Sequence, residues 1–450
     1  MKAPILATKS VKNFVNYIKN IIFGASVVTI AIKINLCDFN LFLKISMLTK
    51  KNAKQMKKLL LLSCIVAVCA TCMVSCASDE PTLTVSDSHQ TTDPNFISLD
   101  EALVNADNAF KSMLGKSKKH TRSNIDAELF MPRKTRSGQD GMYGFYVLNY
   151  GKDDGFALLS ADRRRTPVFA LSEEGSLHLS DTTDNKGLSW YVNERIATES
   201  IGVVRPPVGR DSIVEFDPFS AGIRTYYCEP MLTGVLSKFH QEEPYNKYCP
   251  RMVTREHALT GCGPIALGAI LAYFQWPKTI VNYSFNWNDM LTQQNHDMWA
   301  RLFEVIGRPG YLAAEYFEDC TGNDLYRVIP TLKNLGYGSG TTTWFSTSSM
   351  ATELTAKRPV FMFGIGSAGH FWVADGGFQW DLNMIVNGEV IAKRREYFYH
   401  MVWGEGGKAN GYFLCAEEIG GKPYIPDEGT SGTAEKYKDL KITYGYRPNK

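Results

Sequence analysis

Apolar positions fall into three patterns along the chain. From Ser98-Leu99-Asp100-Glu101, apolar Leu103, Ala106, Phe110 and Leu114 recur at helical spacing behind an N-capping serine, which predicts a helix. Three shorter apolar runs, Met142–Tyr150, Gly155–Ser160 and Pro167–Leu171, read as strands, and Leu188–Ile196 as a second helix. The strongest signal comes later. Ile265-Ala266-Leu267-Gly268-Ala269-Ile270-Leu271-Ala272-Tyr273-Phe274 is apolar on all sides, as a buried helix must be, and Pro277 stops it. A strand-like run, Phe371–Ala374, follows a glycine-rich turn. Residues 77–96 are polar and rich in Ser, Thr and Asp, and read as a linker. Residues 201–227 carry Pro206, Pro207, Gly209, Pro218 and Gly222 with little periodicity, and read as an interdomain linker and processing region. The helix and strand runs after the first linker read as a small α+β domain.

The N-terminal stretch is a different kind of sequence. Met56-Lys57-Lys58 precedes an apolar run, Leu59–Ala70, that closes on small residues in Val74-Ser75-Cys76-Ala77. A basic start, an apolar middle and a small-residue end make 56–76 an export signal. A small residue directly before Cys76, with Asp79 and Glu80 after it, resembles the bacterial lipoprotein pattern. Cys76 would then be the lipidated first mature residue and the only link to a membrane; simple secretion is the other reading. Met56 would be the start, and residues 1–55 an upstream extension of the reading frame, with a signal anchor at 21–36 as the competing view.

Charge divides along the same line. The chain of 450 residues has a net charge of +3, yet residues 1–58 hold eleven lysines against one acid, Asp38. That stretch carries +10, leaving −7 for the rest, so nothing basic remains to suggest a nucleic-acid binder. Beyond residue 75 no apolar run is long enough to make a polytopic membrane protein. Cys64, Cys69, Cys72 and Cys76 mimic an iron–sulfur spacing, but the residues between Cys64 and Cys72 are apolar or small and could not balance a cluster. No metal spacing appears among the later cysteines. If Cys76 is acylated and Cys262 catalytic, then Cys228, Cys249, Cys320 and Cys415 remain, with three possible disulfide pairings.

Candidate chemistry gathers around Cys262. It opens the apolar helix, where the dipole and free backbone N–H groups favour a thiolate; a small buried hydrophobe is the plainer alternative. The base would be a histidine elsewhere in the chain. His370, in Gly369-His370-Phe371-Trp372-Val373-Ala374-Asp375-Gly376, stands at the head of the strand-like run. The preceding Gly364-Ile365-Gly366-Ser367-Ala368-Gly369 is a literal G-x-G-x-x-G, but a strand and not a helix follows, so no dinucleotide site or other cofactor is expected.

Several blocks then resemble the streptopain family of cysteine peptidases, in order along the chain. They are Gln241…Pro244-Tyr245-Asn246…Cys249-Pro250, Thr260-Gly261-Cys262, Phe274-Gln275-Trp276-Pro277, Asn286–Met290, Gly369–Val373 and His400-Met401-Val402-Trp403-Gly404-Glu405-Gly406-Gly407. Ser98–Ala106, Gly144–Asn149 and Gly155–Asp162 are similar to that family's propeptide/inhibitor domain. The resemblance implies a papain-like fold at 228–450 behind an inhibitory propeptide at 97–200. It implies a zymogen that cleaves peptide bonds through a Cys262–His370 pair, with Gln241 at the oxyanion and Trp403 shielding the pair. Expected partners are protein or peptide substrates and the chain's own propeptide. There are three departures. The family's orienting Asn is Val402, which accepts no hydrogen bond; Glu405 replaces a Trp; and Gly263-Pro264 follows the Cys. Val402 sustains one rival, a catalytically impaired homologue acting as a surface binding module; a second, an acyltransferase, would use the same nucleophile but shares no propeptide.

Overall fold

The computed structural model describes residues 96–115, 124–130, 144–163, 165–178, 185–196, 214–216, 222–293, 295–338, 340–366, 369–419, 422–423 and 439–450. The leader, Cys76 and the linker as far as residue 95 lie outside them.

The first helix is α1, Leu99–Ala109, with the Ser98 side chain accepting the Glu101 N–H at its start. Its apolar stripe, Ala102, Ala106 and Ala109, is buried, and the helix continues into a π-helical turn at Phe110–Leu114. Four antiparallel strands follow: β1 (Ile125–Phe130), β2 (Phe145–Tyr150), β3 (Phe156–Ser160) and β4 (Val168–Ser172). Strands β2 to β4 are buried throughout, which is why they read as continuous apolar runs and not as alternating ones. The expected second helix is short: α2 covers Lys186–Trp190, capped by Asn185, and passes into a π-helical turn at Tyr191–Ile196.

The later half is built on two long strands, β9 (His370–Val386) and β10 (Glu389–Val402), flanked by β7 (Thr341–Trp344), β8 (Val360–Gly364), β11 (Gly411–Ile419) and β12 (Leu440–Tyr444). Two short strands, β5 (Val214–Phe216) and β6 (Ile223–Cys228), also pair with β9. Within the segment read as a linker, the described residues 214–216 and 223–227 therefore pair into the sheet. A strand as long as β9 presents more backbone N–H and C=O groups than β8 and β10 satisfy, and this proline-poor end of the segment supplies the missing partners.

One sheet joins the two halves, in the order β1-β2-β3-β4-β11-β10-β9-β8-β12-β7. The junction is β4 on β11, where Leu171 faces Tyr412 and Ala170 faces Phe413. Beside it, Thr166 hydrogen-bonds Glu417 and Arg394, and Arg394 pairs with Glu417 and, at 2.9 Å, with Glu396. All four side chains are buried. Charges removed from water this completely need one another, so a hydroxyl of the first half completes an ion network of the second.

Apolar clusters cover both faces of β9. Phe371 and Val373 face the cluster containing α3 (Cys262–Phe274) and α4 (His296–Gly307). Trp372 and Ala374 face the cluster shared with α1 and β2 to β4. The period of two along a strand therefore assigns His370 to the side of α1 and β2 to β4. Cys228 and Cys249 are free thiols, which excludes each two-bond pairing of the four late cysteines. Among the described residues no helix is long and apolar enough to cross a membrane.

Candidate active site

Helix α3 starts at Cys262, as its apolar run predicts, and ten of its residues from Gly263 to Ala272 are buried. Its N-cap is Gly261 at φ +97°, a backbone conformation open in practice only to glycine. A side chain there would also come within 2.9 Å of Thr321 Cγ2. The turn thus presents Cys262 at the first helical position, partly buried against the core. The backbone N–H of Phe371, the residue after His370, acts on its sulfur in favour of the anion, so the start of α3 and the start of β9 come together.

The thiol is not poised as the helix position alone predicts. Burial pushes it up to about 11, and the Glu405 carboxylate adds to the rise, outweighing the Phe371 and Gly263 N–H groups that favour the anion. His370 is 1% exposed, and burial lowers it to about 4, with the Lys186 charge acting in the same direction. Both partners are neutral near pH 7, and no hydrogen bond joins them. Burial in the covered site thus opposes the thiolate that a helix N-terminus favours.

On the His370 side the cover is α2. Gly187 lies so close to the pair that a methyl group on it would stand 2.3 Å from Trp403 Cε3 and 2.8 Å from His370 Cδ2. Trp190 completes the cover, with its ring 5.0 Å from that of Trp372 and its Nε1 donating to the Ile365 carbonyl.

Val402 is buried in the cluster around α3, and another group takes the vacant acceptor position. His370 Nε2 lies 3.0 Å from the backbone carbonyl of Trp403. A carbonyl only accepts, so Nε2 carries the proton and Nδ1 is the basic nitrogen of the neutral ring. Trp403 is in turn fixed from three sides. Its N–H donates to Asn410 Oδ1 at 3.2 Å, its indole N–H donates to Ala409 O at 3.0 Å, and its ring packs between Trp372 and Phe413. Asn410 also donates to Ser237 O at 2.9 Å. Reasoning from residue types missed this arrangement, because a main-chain acceptor leaves no mark in the sequence and Asn410 stands seven residues away from Trp403.

Gln241 comes to the same place. Its backbone carbonyl accepts from Thr260 N–H at 2.9 Å, and its Nε2 donates to Glu405 Oε1 at 2.8 Å. Asn323 was also missed. Its Oδ1 lies beside Gly261 and Gly263, and neither amide atom has a hydrogen-bond partner among the described residues. Farther along the sheet, Asp375 bonds His400 Nδ1 at 2.6 Å and the Leu232 N–H at 2.6 Å, which anchors the segment leading to Gln241. As expected, Gly364 ends one strand and His370 begins another, with no helix after the glycine-rich turn. On the propeptide, Asp126, Glu128 and His178 bring ligand atoms within 4.8 Å of one another, a grouping that the cysteine spacings could not suggest.

Residues 239–413 match the model of the Peptidase C10 family, and residues 94–194 that of the Spi protease inhibitor. The thiol protease/hemagglutinin PrtT of Porphyromonas gingivalis is 24% identical over 310 residues, 60% of this chain but 33% of that protein. Streptopain of Streptococcus pyogenes is 24% identical over 321 residues, which is 73% of its length. Among solved structures, a prointerpain A fragment of Prevotella intermedia covers 72% of this chain and all of its own, at 18% identity and a TM-score of 0.46. Residues 239–413 are thus similar to the Peptidase C10, or streptopain, family of cysteine peptidases, and residues 94–194 to a protease-inhibitor domain.

Proposed function

We propose that the chain is the zymogen of an exported cysteine endopeptidase, held inactive by α2 lying on His370. The observation that carries this reading is the contact of Gly187 with His370 and Trp403, which seals the candidate base inside the protein. Removing the propeptide returns water to the pair. The imidazole then gains proton affinity and the thiol loses it, and the two exchange a proton to become a thiolate–imidazolium pair.

In the active form His370 Nδ1 takes the Cys262 proton while Nε2–H stays on the Trp403 carbonyl. The Cys262 sulfur attacks the scissile carbonyl carbon. Charge on its oxygen is held by the Cys262 N–H and the Gln241 side-chain amide. His370 returns its proton to the leaving amine as the C–N bond breaks. Water, deprotonated by the same nitrogen, then cleaves the thioester and restores the thiol. Asn323, with an unpaired amide beside the nucleophile, would bind the substrate backbone. The Trp403 carbonyl supports this reading over an inactive binding module, because it supplies the hydrogen-bond acceptor whose loss at Val402 was the module's main support. Export rests on the signal-like 56–76, and anchoring on Cys76.

The test is hydrolysis of an unstructured protein after propeptide removal, compared with Cys262→Ala. Cleavage by the parent alone supports the proposal. Equal cleavage by both, or by neither, overturns it.

A further inference from the structure

We propose that the place filled by the Trp190 indole is a specificity pocket, and that the processed enzyme prefers substrates with tryptophan immediately after the scissile bond. The inference rests on the peptidase reading above and goes on to the class of substrate that reading leaves open.

Trp190 ends α2 and is 4% exposed, so the ring that completes the cover is itself set into the protein. What receives it is a gap in the sheet. Gly364, the last residue of β8, stands directly opposite His370 in β9, and paired residues of neighbouring strands carry their side chains on the same face. A side chain at this position would therefore lie beside the imidazole. Glycine has none, and the indole takes its place. A methyl group on Gly364 would stand 2.6 Å from both Cδ2 and Cε2 of Trp190, the bond its two rings share. Trp372, two residues along β9 from His370, closes another side with its ring 5.0 Å away.

The gap also has a polar end. Trp190 Nε1 donates to the Ile365 carbonyl at 3.2 Å, just beyond Gly364. That carbonyl is held in place, because the Ile365 N–H donates to Asp439 O at 2.7 Å and Gly364 pairs with the buried Leu440 of β12. When α2 leaves, a backbone acceptor, an aromatic wall and a strand without a side chain remain beside the base. Flat apolar space with one fixed acceptor at its rim suits an indole better than an aliphatic chain, which fills less of it and brings no donor. Its place sets which substrate residue enters. Cys262 packs in the cluster on the α3 face of β9, whereas Trp190 and Trp372 belong to the cluster on the other face. A peptide running from Cys262 past His370 therefore carries its leaving-group residue toward the Trp190 position, and His370 protonates that residue's amine.

The experiment compares kcat/KM of the processed protein on quenched peptides identical except for Trp, 1-methyl-Trp, Leu or Ala immediately after the scissile bond. Parent and Gly364→Ala are each measured. The parent should favour Trp over Ala at least about tenfold, with Leu between them. Methylating the indole nitrogen removes the donor to Ile365 O and should cost about threefold or more relative to Trp. Gly364→Ala puts a methyl group where the ring would lie, and should bring the ratio of Trp to Ala to about twofold or less. If that variant does not fold, the 1-methyl-Trp comparison in the parent decides alone. A parent that cleaves the Trp peptide no faster than the Leu or Ala peptide, or that treats Trp and 1-methyl-Trp alike, overturns the inference and leaves the peptidase reading intact. So does a folded Gly364→Ala variant that keeps the parent's ratio. No cleavage of any peptide overturns both.

Discussion

Gly187→Ala separates the packing account from helix propensity, because the two predict opposite signs. In a helix, alanine is favoured over glycine by about 0.5–1 kcal/mol, so propensity alone predicts a tighter propeptide. The structure predicts a looser one. The new methyl would stand 2.3 Å from Trp403 Cε3 and 2.8 Å from His370 Cδ2, against an ordinary carbon–carbon contact of roughly 3.5–4.0 Å. Neither ring can give way. Trp403 is fully buried, bonded to Ala409 O and packed between two aromatic rings, and His370 is tied to the Trp403 carbonyl. The helix must lift instead. Overpacking of this kind costs about 1–3 kcal/mol, leaving a net destabilisation of about 1–2 kcal/mol. That raises the uncovered population by a factor of about 5–30. The assay is the time course of propeptide loss, with iodoacetamide labelling of Cys262 in the unprocessed chain as a second readout. Ser189→Ala, on the same helix, should leave both unchanged. If Gly187→Ala matures at the parent rate or more slowly, α2 does not restrain the pair by contact with His370.

The orienting arrangement and the pH response give further tests. Val402→Asn places a carboxamide in an apolar cluster where the Trp403 carbonyl already serves His370. It should lower stability by about 1–3 kcal/mol without raising kcat, measured by urea unfolding and peptide turnover. Asn410→Ala removes the bonds that hold Trp403 N–H and Ser237 O. It should lower kcat about tenfold or more with little change in KM, in steady-state assays of the processed protein. Acid should loosen the zymogen through His370. The ring is held near 4 while covered, against 6.5 when free, so the free form takes up the proton first. The covered state keeps its full stability above about pH 6.5 and loses about 2 kcal/mol by pH 5, at ~1.4 kcal/mol per unit. Glu396, raised to about 7 by burial, works the other way, since its carboxyl stays protonated longer in the folded chain. Thermal unfolding of Cys262→Ala should therefore fall with acid more steeply than that of the Cys262→Ala/His370→Phe double variant.

What could be read in the sequence follows from what leaves a mark in residue types. An apolar run with a proline stop gave α3 to the residue, and glycine before cysteine set the turn that presents Cys262. Strands β2 to β4 were visible because burial on both faces makes them continuous. Other features depend on partners that no local pattern names. Ile223–Cys228 is a strand only because β9 extends beyond its other neighbours. His370 loses its charge only because Gly187, nearly two hundred residues away, lies on top of it. The acceptor that compensates for Val402 is a carbonyl, common to every residue, and it becomes distinctive only when Asn410 fixes its direction. The block His400–Gly407 thus showed that the orienting Asn is absent and left open what takes its place.

The central claim is that Cys262 and His370 form a working pair that the propeptide keeps switched off. It is tested most directly by the rate at which iodoacetamide alkylates Cys262, followed by peptide mass spectrometry at pH 6 before and after propeptide removal. The account predicts slow labelling in the intact chain and labelling at least about tenfold faster in the processed one, with His370→Ala returning the processed protein to the slow rate. Equal rates before and after processing, or fast labelling that survives His370→Ala, would contradict it.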